Sequence, residues 1–430
     1  MLKVPCWWSR PVAVAVVAAI VPGAAGQACD PGGILSPQAA YDAGERPQSV
    51  ATGDLDGDGD ADLVVVGQAA REVSVLFNDG AGAFAIDARY RVDGFPNMAA
   101  VGDVDGDGDP DIVAVSSATG DVRVLVNAGD GTFTPGGIFA VGDAPEWVAI
   151  GDLDGDGDGD VVTGNIFSAD ISVLLNAGDG TFAPETRYDP RNGVAFVAIG
   201  DLDNDGDADV VAATFRATVL LNAGDGSFAF DGVYGSGSQL VAVAIGDLDG
   251  DGDADVVGAN QDSNNVSVLL NNGDATFAPD TLYDVGFFPV SVAIDDLDGD
   301  GDGDLAVANR FDDSISVLAN NGDGTFAEEV RFATADSPLA VVIDDVDGDG
   351  DGDVVTANFI SQDVSVFLNA CGPAGCPAEL DGDGLLTIFD FLTFQNLFDA
   401  GDPIADFDGD GAFTLFDFLA FQNAFDAGCP

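Results

Sequence analysis

Histidine is absent from all 430 residues, and the only lysine, Lys3, stands beside the N-terminus. Imidazole bases, imidazole metal ligands and Schiff-base lysines are therefore missing from the chemistry of the chain beyond its first residues. Cysteine is nearly as scarce, at positions 6, 29, 371, 376 and 429. Basic residues number 12 against 76 acidic ones, a formal charge of −64. A field of that sign repels nucleic acid and anionic membrane surfaces. The one early apolar run, Pro11–Val21, is too short to span a bilayer, and no later run approaches a transmembrane segment. With Lys3 and Arg10 ahead of that run and Ala24, Ala25 and Gly26 after it, residues 1–26 read as a secretory signal, placing the mature chain outside the cell or at its surface.

What is present in excess is aspartate, and it is ordered. The pattern D-x-D-x-D-G-D-x-D begins at Asp54, Asp103, Asp152, Asp201, Asp247, Asp296 and Asp345, at spacings of 49 residues broken once by 46. These loops hold 35 of the acids, so much of the charge is local chemistry rather than a disordered tail. Around each loop lie four short β-rich runs separated by Gly, Asn and Asp turns. In the third unit they are Trp147–Gly151, Val161–Asn165, Ile171–Asn176 and Thr181–Tyr188. Seven four-stranded units predict a mainly β, seven-bladed propeller, which leaves only short, protected strand edges. The seventh unit ends after its third strand, Val364–Asn369, and its missing fourth strand stands at the other end of the chain as Ile34–Tyr41. That N-terminal strand is expected to complete the last blade. The same offset brings Cys29 and Cys371 to one hairpin turn, which favours Cys29–Cys371 and Cys376–Cys429 among the three possible pairings.

The seven acidic loops resemble the FG-GAP (VCBS-type) repeats of integrin α-subunits and many bacterial surface proteins. The resemblance covers residues 27–371 and implies Ca²⁺ in the loops joining first and second strands, with partner-binding loops on the opposite face. Positions 1, 3, 5 and 9 of each loop are expected to give carboxylates and position 7 its backbone carbonyl. The candidate ligands are Asp54, Asp56, Asp58, Asp60 and Asp62, then Asp103, Asp105, Asp107, Asp109 and Asp111, then Asp152, Asp154, Asp156, Asp158 and Asp160. The fourth to seventh loops offer Asp201, Asp203, Asp205, Asp207 and Asp209; Asp247, Asp249, Asp251, Asp253 and Asp255; Asp296, Asp298, Asp300, Asp302 and Asp304; and Asp345, Asp347, Asp349, Asp351 and Asp353. Oxygen-only ligation in flexible loops favours Ca²⁺ over zinc, copper or Mg²⁺, and extracellular modules of this kind bind at roughly 10⁻⁴–10⁻³ M.

After a Gly/Pro linker at 372–375, residues 376–430 repeat once at an offset of 27. Each copy fits a twelve-residue EF-hand-type loop followed by a helix. The ligands would be Glu379, Asp381, Asp383, Leu385, Thr387 and Asp390 in the first copy, and Asp406, Asp408, Asp410, Ala412, Thr414 and Asp417 in the second, Leu385 and Ala412 through backbone carbonyls. Asp at position 12 and the Cys-bracketed tandem resemble a small α-helical dockerin module, which implies a cohesin-like or surface receptor and brings the expected Ca²⁺ sites to about nine. Ile388–Phe389 and Leu415–Phe416 stand where dockerins commonly carry small polar contact residues.

Catalytic chemistry finds little material. The five tyrosines, Tyr41, Tyr90, Tyr188, Tyr234 and Tyr283, share one repeat position with Phe139 and Phe332 and read as packing residues. No acidic residue outside the loops stands out as an unrepeated constellation. A carboxylate pair, or Arg with Ca²⁺, leaves open a carbohydrate-active enzyme, either a glycoside hydrolase or a polysaccharide lyase. The residues that break the repeat are Arg71, Phe167, Phe215, Arg216, Gln261, Arg310, Phe311 and Phe359, joined by Arg46, Trp147, Arg191, Phe287 and Phe288 between blades. By the resemblance they lie on the face away from the acidic loops, where Arg and aromatics suit a glycan or protein ligand. They are equally readable as inter-blade filling and solvated charge. The expectation is a secreted Ca²⁺-binding adhesion or ligand-binding protein rather than an enzyme. Peptide mapping of the unreduced protein is expected to join Cys29 to Cys371; a fragment joining Cys29 to Cys376 or Cys429 would overturn the offset argument.

Overall fold

The computed structural model describes residues 35–369 apart from Ser236, together with Phe394 and Phe398. The expected signal at 1–26, the cysteine pairings and the expected domain at 376–430 lie outside the described residues, save those two phenylalanines, which are helical with ring centroids 5.7 Å apart. Seven antiparallel four-stranded sheets are arranged as the repeat spacing predicts, each with its strands in chain order except the last. The third blade runs through Pro145–Gly151, Asp160–Asn165, Asp170–Leu174 and Thr186–Tyr188. In every blade the second strand is buried along its whole length, because neighbouring blades cover both of its faces. A sheet covered on both sides needs continuous apolar runs such as Leu63–Val66 rather than alternation. The fourth strand is the outer edge and alternates, as Phe228–Tyr234 does.

Three sets of contacts join the blades into a ring. The last blade takes its fourth strand from the N-terminus: Ala39–Asp42 pairs with Asp363–Phe367, and Leu35 bridges Asn369. Aromatic junctions form the second set. The Tyr or Phe of one outer strand meets a Phe of the next blade edge-on, at centroid distances of 5.5 Å for Tyr41–Phe84, 5.3 Å for Tyr90–Phe133 and 4.9 Å for Phe139–Phe182. At the remaining junction Phe332 packs in one cluster with Leu35, which occupies the place that Phe182 holds in its own blade.

The third set escaped the sequence reading. An asparagine ends the third strand of every blade, and its Nδ2 donates to a loop carbonyl of the preceding blade. Asn127 reaches Leu55, Asn176 reaches Val104, and Asn222 reaches Leu153, each at 2.8 Å. Asn271, Asn320 and Asn369 repeat the bond to Leu202, Leu248 and Leu297. Asn78 closes the circle onto Val346 at 2.7 Å. Each amide also donates to the carbonyl just before its own blade's second strand, Gly159 in the case of Asn176. Replacing Asn176 by Ala removes two amide bonds, leaving the Gly159 carbonyl without its donor and Val104 O with Gly180 N alone, and equilibrium urea unfolding should show a loss of about 2 kcal/mol. Asn272→Ala, whose amide bonds only exposed Thr276, should stay within about 0.5 kcal/mol of the parent. Equal losses for the two would contradict the inter-blade role.

Candidate functional site

Each acidic loop is a short nest of backbone N–H groups held by its own carboxylates. In the first blade, Asp54 accepts from Gly57 N at 2.8 Å and Gly59 N at 3.1 Å, while Asp58 accepts from Asp60 N at 3.1 Å. The turn needs left-handed backbone at positions 4 and 6, where Gly57 and Gly59 have φ of 78° and 99°. The fourth blade has Asn204 at position 4 with φ of 59°, a conformation asparagine tolerates.

The ninth-position carboxylate is buried and does a different task. Asp62 accepts from Leu55 N at 3.0 Å and Asn78 N at 2.9 Å, tying loop, second strand and third-strand end together. Equivalent pairs of bonds hold Asp111, Asp160, Asp209, Asp255, Asp304 and Asp353. Burial pushes these groups up despite the backbone donors: to about 6 for Asp62, Asp111, Asp160 and Asp209, about 7 for Asp255 and Asp353, and about 8 for Asp304.

Three carboxylates per loop converge. One oxygen from each of Asp54, Asp56 and Asp58 lies within 4.8 Å of the others, as do those of Asp103, Asp105 and Asp111, of Asp152, Asp154 and Asp160, of Asp201, Asp203 and Asp209, and of Asp247, Asp249 and Asp251. The seventh-position side chain turns instead against the hairpin between third and fourth strands; a Cβ at Gly80 would stand 2.5 Å from the Asp60 carboxylate. Several loop oxygens are buried without any donor: Oδ1 of Asp154, Asp201, Asp298 and Asp347, and both oxygens of Asp351. Converging like charges and orphaned oxygens together suit a hard divalent cation, which supplies the charge that the protein lacks there.

The antiparallel order of the strands sends the second-to-third-strand turns and the blade-to-blade connections to the opposite end. Phe167, Phe215 and Phe311 are exposed there, Phe167 by 75%. Arg216 is exposed beside Phe215, and the Arg71 guanidinium lies 4.9 Å from the Phe95 ring. Arg310, Phe311 and Phe359 come together with Arg46, Phe287 and Phe288, whereas Phe167 and Phe215 stand apart on the third and fourth blades. Two expected face residues are core. Trp147 is fully buried and stacked on Phe196 at 3.6 Å, and Gln261 is buried as well.

One pair of acids was overlooked. Asp295 and Asp344 end the first strands of the sixth and seventh blades, where the other five blades have glycine. Burial raises both, and the Asp344 charge raises Asp295 further. The break in a repeated glycine was the available signal.

Seven blades with one acidic loop each define a repeat propeller. The chain belongs to the FG-GAP-like repeat family, whose pattern matches residues 54–114, 103–163, 152–212, 247–307 and 296–356. No curated protein matches it. Among solved structures it is similar to BBS1N in complex with ARL6DN (12% identity, TM-score 0.57, 78% of this chain and 97% of that one). It is also similar to an inactive virginiamycin B lyase from Staphylococcus aureus with quinupristin (12%, 0.53, 77% and 98%). An Agrocybe aegerita lectin specific for non-reducing terminal N-acetylglucosamine aligns at 25% identity and a TM-score of 0.49, over 70% of this chain and 81% of the lectin. Likenesses at 12% identity speak to the fold alone.

The raised carboxylates give the metal-free ring a defined pH response. Their folded values exceed the ordinary 3.8, so the native state holds more protons than the unfolded chain, and stability falls as pH rises towards and through about 6 to 8. Chelated protein should melt at lower temperature near pH 8 than near pH 5.5, and saturating Ca²⁺ should flatten or reverse that slope, because metal displaces the proton. A melting temperature of the chelated protein that climbs over this range would contradict the assignment.

Proposed function

We propose that this chain is a secreted, Ca²⁺-dependent binding protein: one end of the propeller holds metal, and the other presents a ligand surface. The observation that carries this reading is the placement of the arginines. Arg89, Arg91, Arg123, Arg187 and Arg331 lie on third and outer strands, each paired with a carboxylate. The other five described arginines, Arg46, Arg71, Arg191, Arg216 and Arg310, make no such pair among the described residues, and all sit in the turns and connections opposite the acidic loops. Four of them lie over aromatic rings. In so acidic a chain, cations kept apart from carboxylates and set against exposed or half-buried rings are suited to recognition of an extracellular glycan or protein.

Bound Ca²⁺ would offset part of the negative charge of each loop; the protein's own Asp54-type and Asp62-type carboxylates would position it and keep the joint between blades. The signal at 1–26 and the dockerin-like domain at 376–430 would deliver the propeller and tether it to a cohesin-like or surface receptor.

A second reading, a polysaccharide-cleaving enzyme, is favoured by Asp295 and Asp344, two half-buried carboxyl groups that end neighbouring first strands and that burial holds above the ordinary range. Size-exclusion chromatography of the Ca²⁺-loaded protein with a panel of extracellular polysaccharides separates the readings. Co-elution with a polymer of unchanged length is expected. A polymer that shortens makes the protein an enzyme, and a panel with neither effect removes the glycan form of the binding reading.

A further inference from the structure

The strongest break in the seven-fold pattern spans the sixth and seventh blades and the connection into the first. Phe288 and Phe311 stack at 4.4 Å with planes 27° apart, and Phe287 stands 6.0 Å from Phe311. The Arg310 guanidinium continues the row, 5.4 Å from the Phe311 ring and 5.9 Å from Phe359, and Arg46 covers Phe359 at 5.4 Å. Phe287 and Phe311 are each about half exposed. The row therefore offers solvent alternating ring faces and cations.

Arg310 is the unusual member. It is half-buried, which lowers its pKa by desolvation, and among the described residues its side chain makes one hydrogen bond, a long one of 3.4 Å from Nε to Ser337 Oγ. Acids stand close by in sequence but are committed elsewhere. Asp312 accepts from Phe287 N and pairs with Arg331, and Asp313 accepts from Ser337 N. The terminal nitrogens of Arg310 are left without a carboxylate, in the fork geometry that binds a planar carboxylate through two parallel bonds. Phe288 at φ of 65° and Arg46 at 57° share the left-handed backbone that Ala144, Gln239 and Ser337 also adopt just before their first strands, so the repeated connection fixes where both stand.

We propose that the patch of Arg46, Phe287, Phe288, Arg310, Phe311 and Phe359 binds a uronate-bearing glycan. Arg310 takes the sugar carboxylate, and the phenyl faces take the apolar C–H faces of the sugar rings. This deepens the binding reading above and rests on it. A glycan fits better than an acidic peptide because the patch is built from turns and blade connections rather than from a strand, so it offers no main-chain ladder to an extended chain. The rings instead present flat apolar surface bordered by charge.

The test is calorimetric titration of the full Ca²⁺-loaded chain with short hyaluronate, alginate and polygalacturonate oligosaccharides. Their carboxyl-reduced counterparts and poly-glutamate complete the set. At least one uronate should bind, with its reduced form at least about tenfold weaker. Arg310→Gln should weaken binding roughly 10- to 100-fold with the melting temperature unchanged, while Arg187→Gln leaves affinity intact. If Arg310→Gln lowers the melting temperature, Phe311→Ala, which removes an already exposed ring, carries the test. Equal binding of the reduced form, or full affinity in both patch variants, overturns the proposal but leaves a binding protein. Poly-glutamate bound more tightly than every uronate, and dependent on Arg310, overturns it in favour of an acidic protein partner. Folded protein that binds no uronate overturns it as well, and silence in the polysaccharide panel besides would take the glycan reading with it.

Discussion

The buried carboxylate at the ninth position of each loop is the constraint on which the rest of the ring hangs. Asp160 receives Leu153 N from its own loop and Asn176 N from the end of the third strand, at 2.9 and 2.6 Å. The same Asn176 then turns its amide to Val104 in the preceding blade. Loop, blade and neighbour are thus joined through two side chains. A metal bound among the adjacent carboxylates would act on the joint between blades, not on an appended loop. A buried, like-charged cluster is destabilising by itself. The charge that would make the site attractive to a cation is also what a bound cation would relieve in the ring.

Closure shows how evenly that joint repeats and where it cannot. Asn78 bonds Val346 across the junction between the two chain ends as the other asparagines bond within the chain. The outer strand Ala39–Asp42 then fills the place that the seventh unit leaves empty. Only the aromatic contact changes, since Leu35 meets Phe332 where the other junctions have two rings. A leucine still fills the gap with apolar volume but lacks the edge-on ring contact, worth about 0.5–1.5 kcal/mol beyond area. The junction between the sixth and seventh blades therefore lacks one term that the others have, while the closing junction keeps its Tyr41–Phe84 pair.

Much of this was legible. A spacing of 49 residues and the orphaned fourth strand are enough to write the blade order, because the offset leaves one place for Ile34–Tyr41. The shared position of the tyrosines with Phe139 and Phe332 likewise announced a packing role, and each of these side chains is now an inter-blade contact. Trp147 was misplaced for a specific reason. The first strand carries a register shift between Pro145 and Trp147, and in a structure of period two a one-residue shift moves a side chain to the other face. Its burial against Phe196 could not be counted off from the connection before it. The asparagine ladder was visible as a repeated letter, but its partner lies some 70 residues away, and only the ring geometry brings them together. Asp295 and Asp344 were overlooked because each stands directly before a loop already full of aspartate.

Repetition and its failure divide the molecule. Where all seven units agree, as in the acidic loops, the terminal asparagines and the buried second strands, the ring geometry demands agreement. One deviant copy would leave a carbonyl unpaired or a blade loose. Positions free of that demand can vary, and the largest departures fall in one sector. The sixth and seventh blades carry Asp295 and Asp344 at one end and the row from Phe287 to Phe359 at the other. Both departures carry an energetic cost: carboxyls held up by burial and a guanidinium desolvated over rings. Packing alone would have been satisfied by the glycine that ends the first strand of the other five blades. The cost sits where the scaffold does not require it, and that separates a surface shaped for an interaction from one left over by the fold.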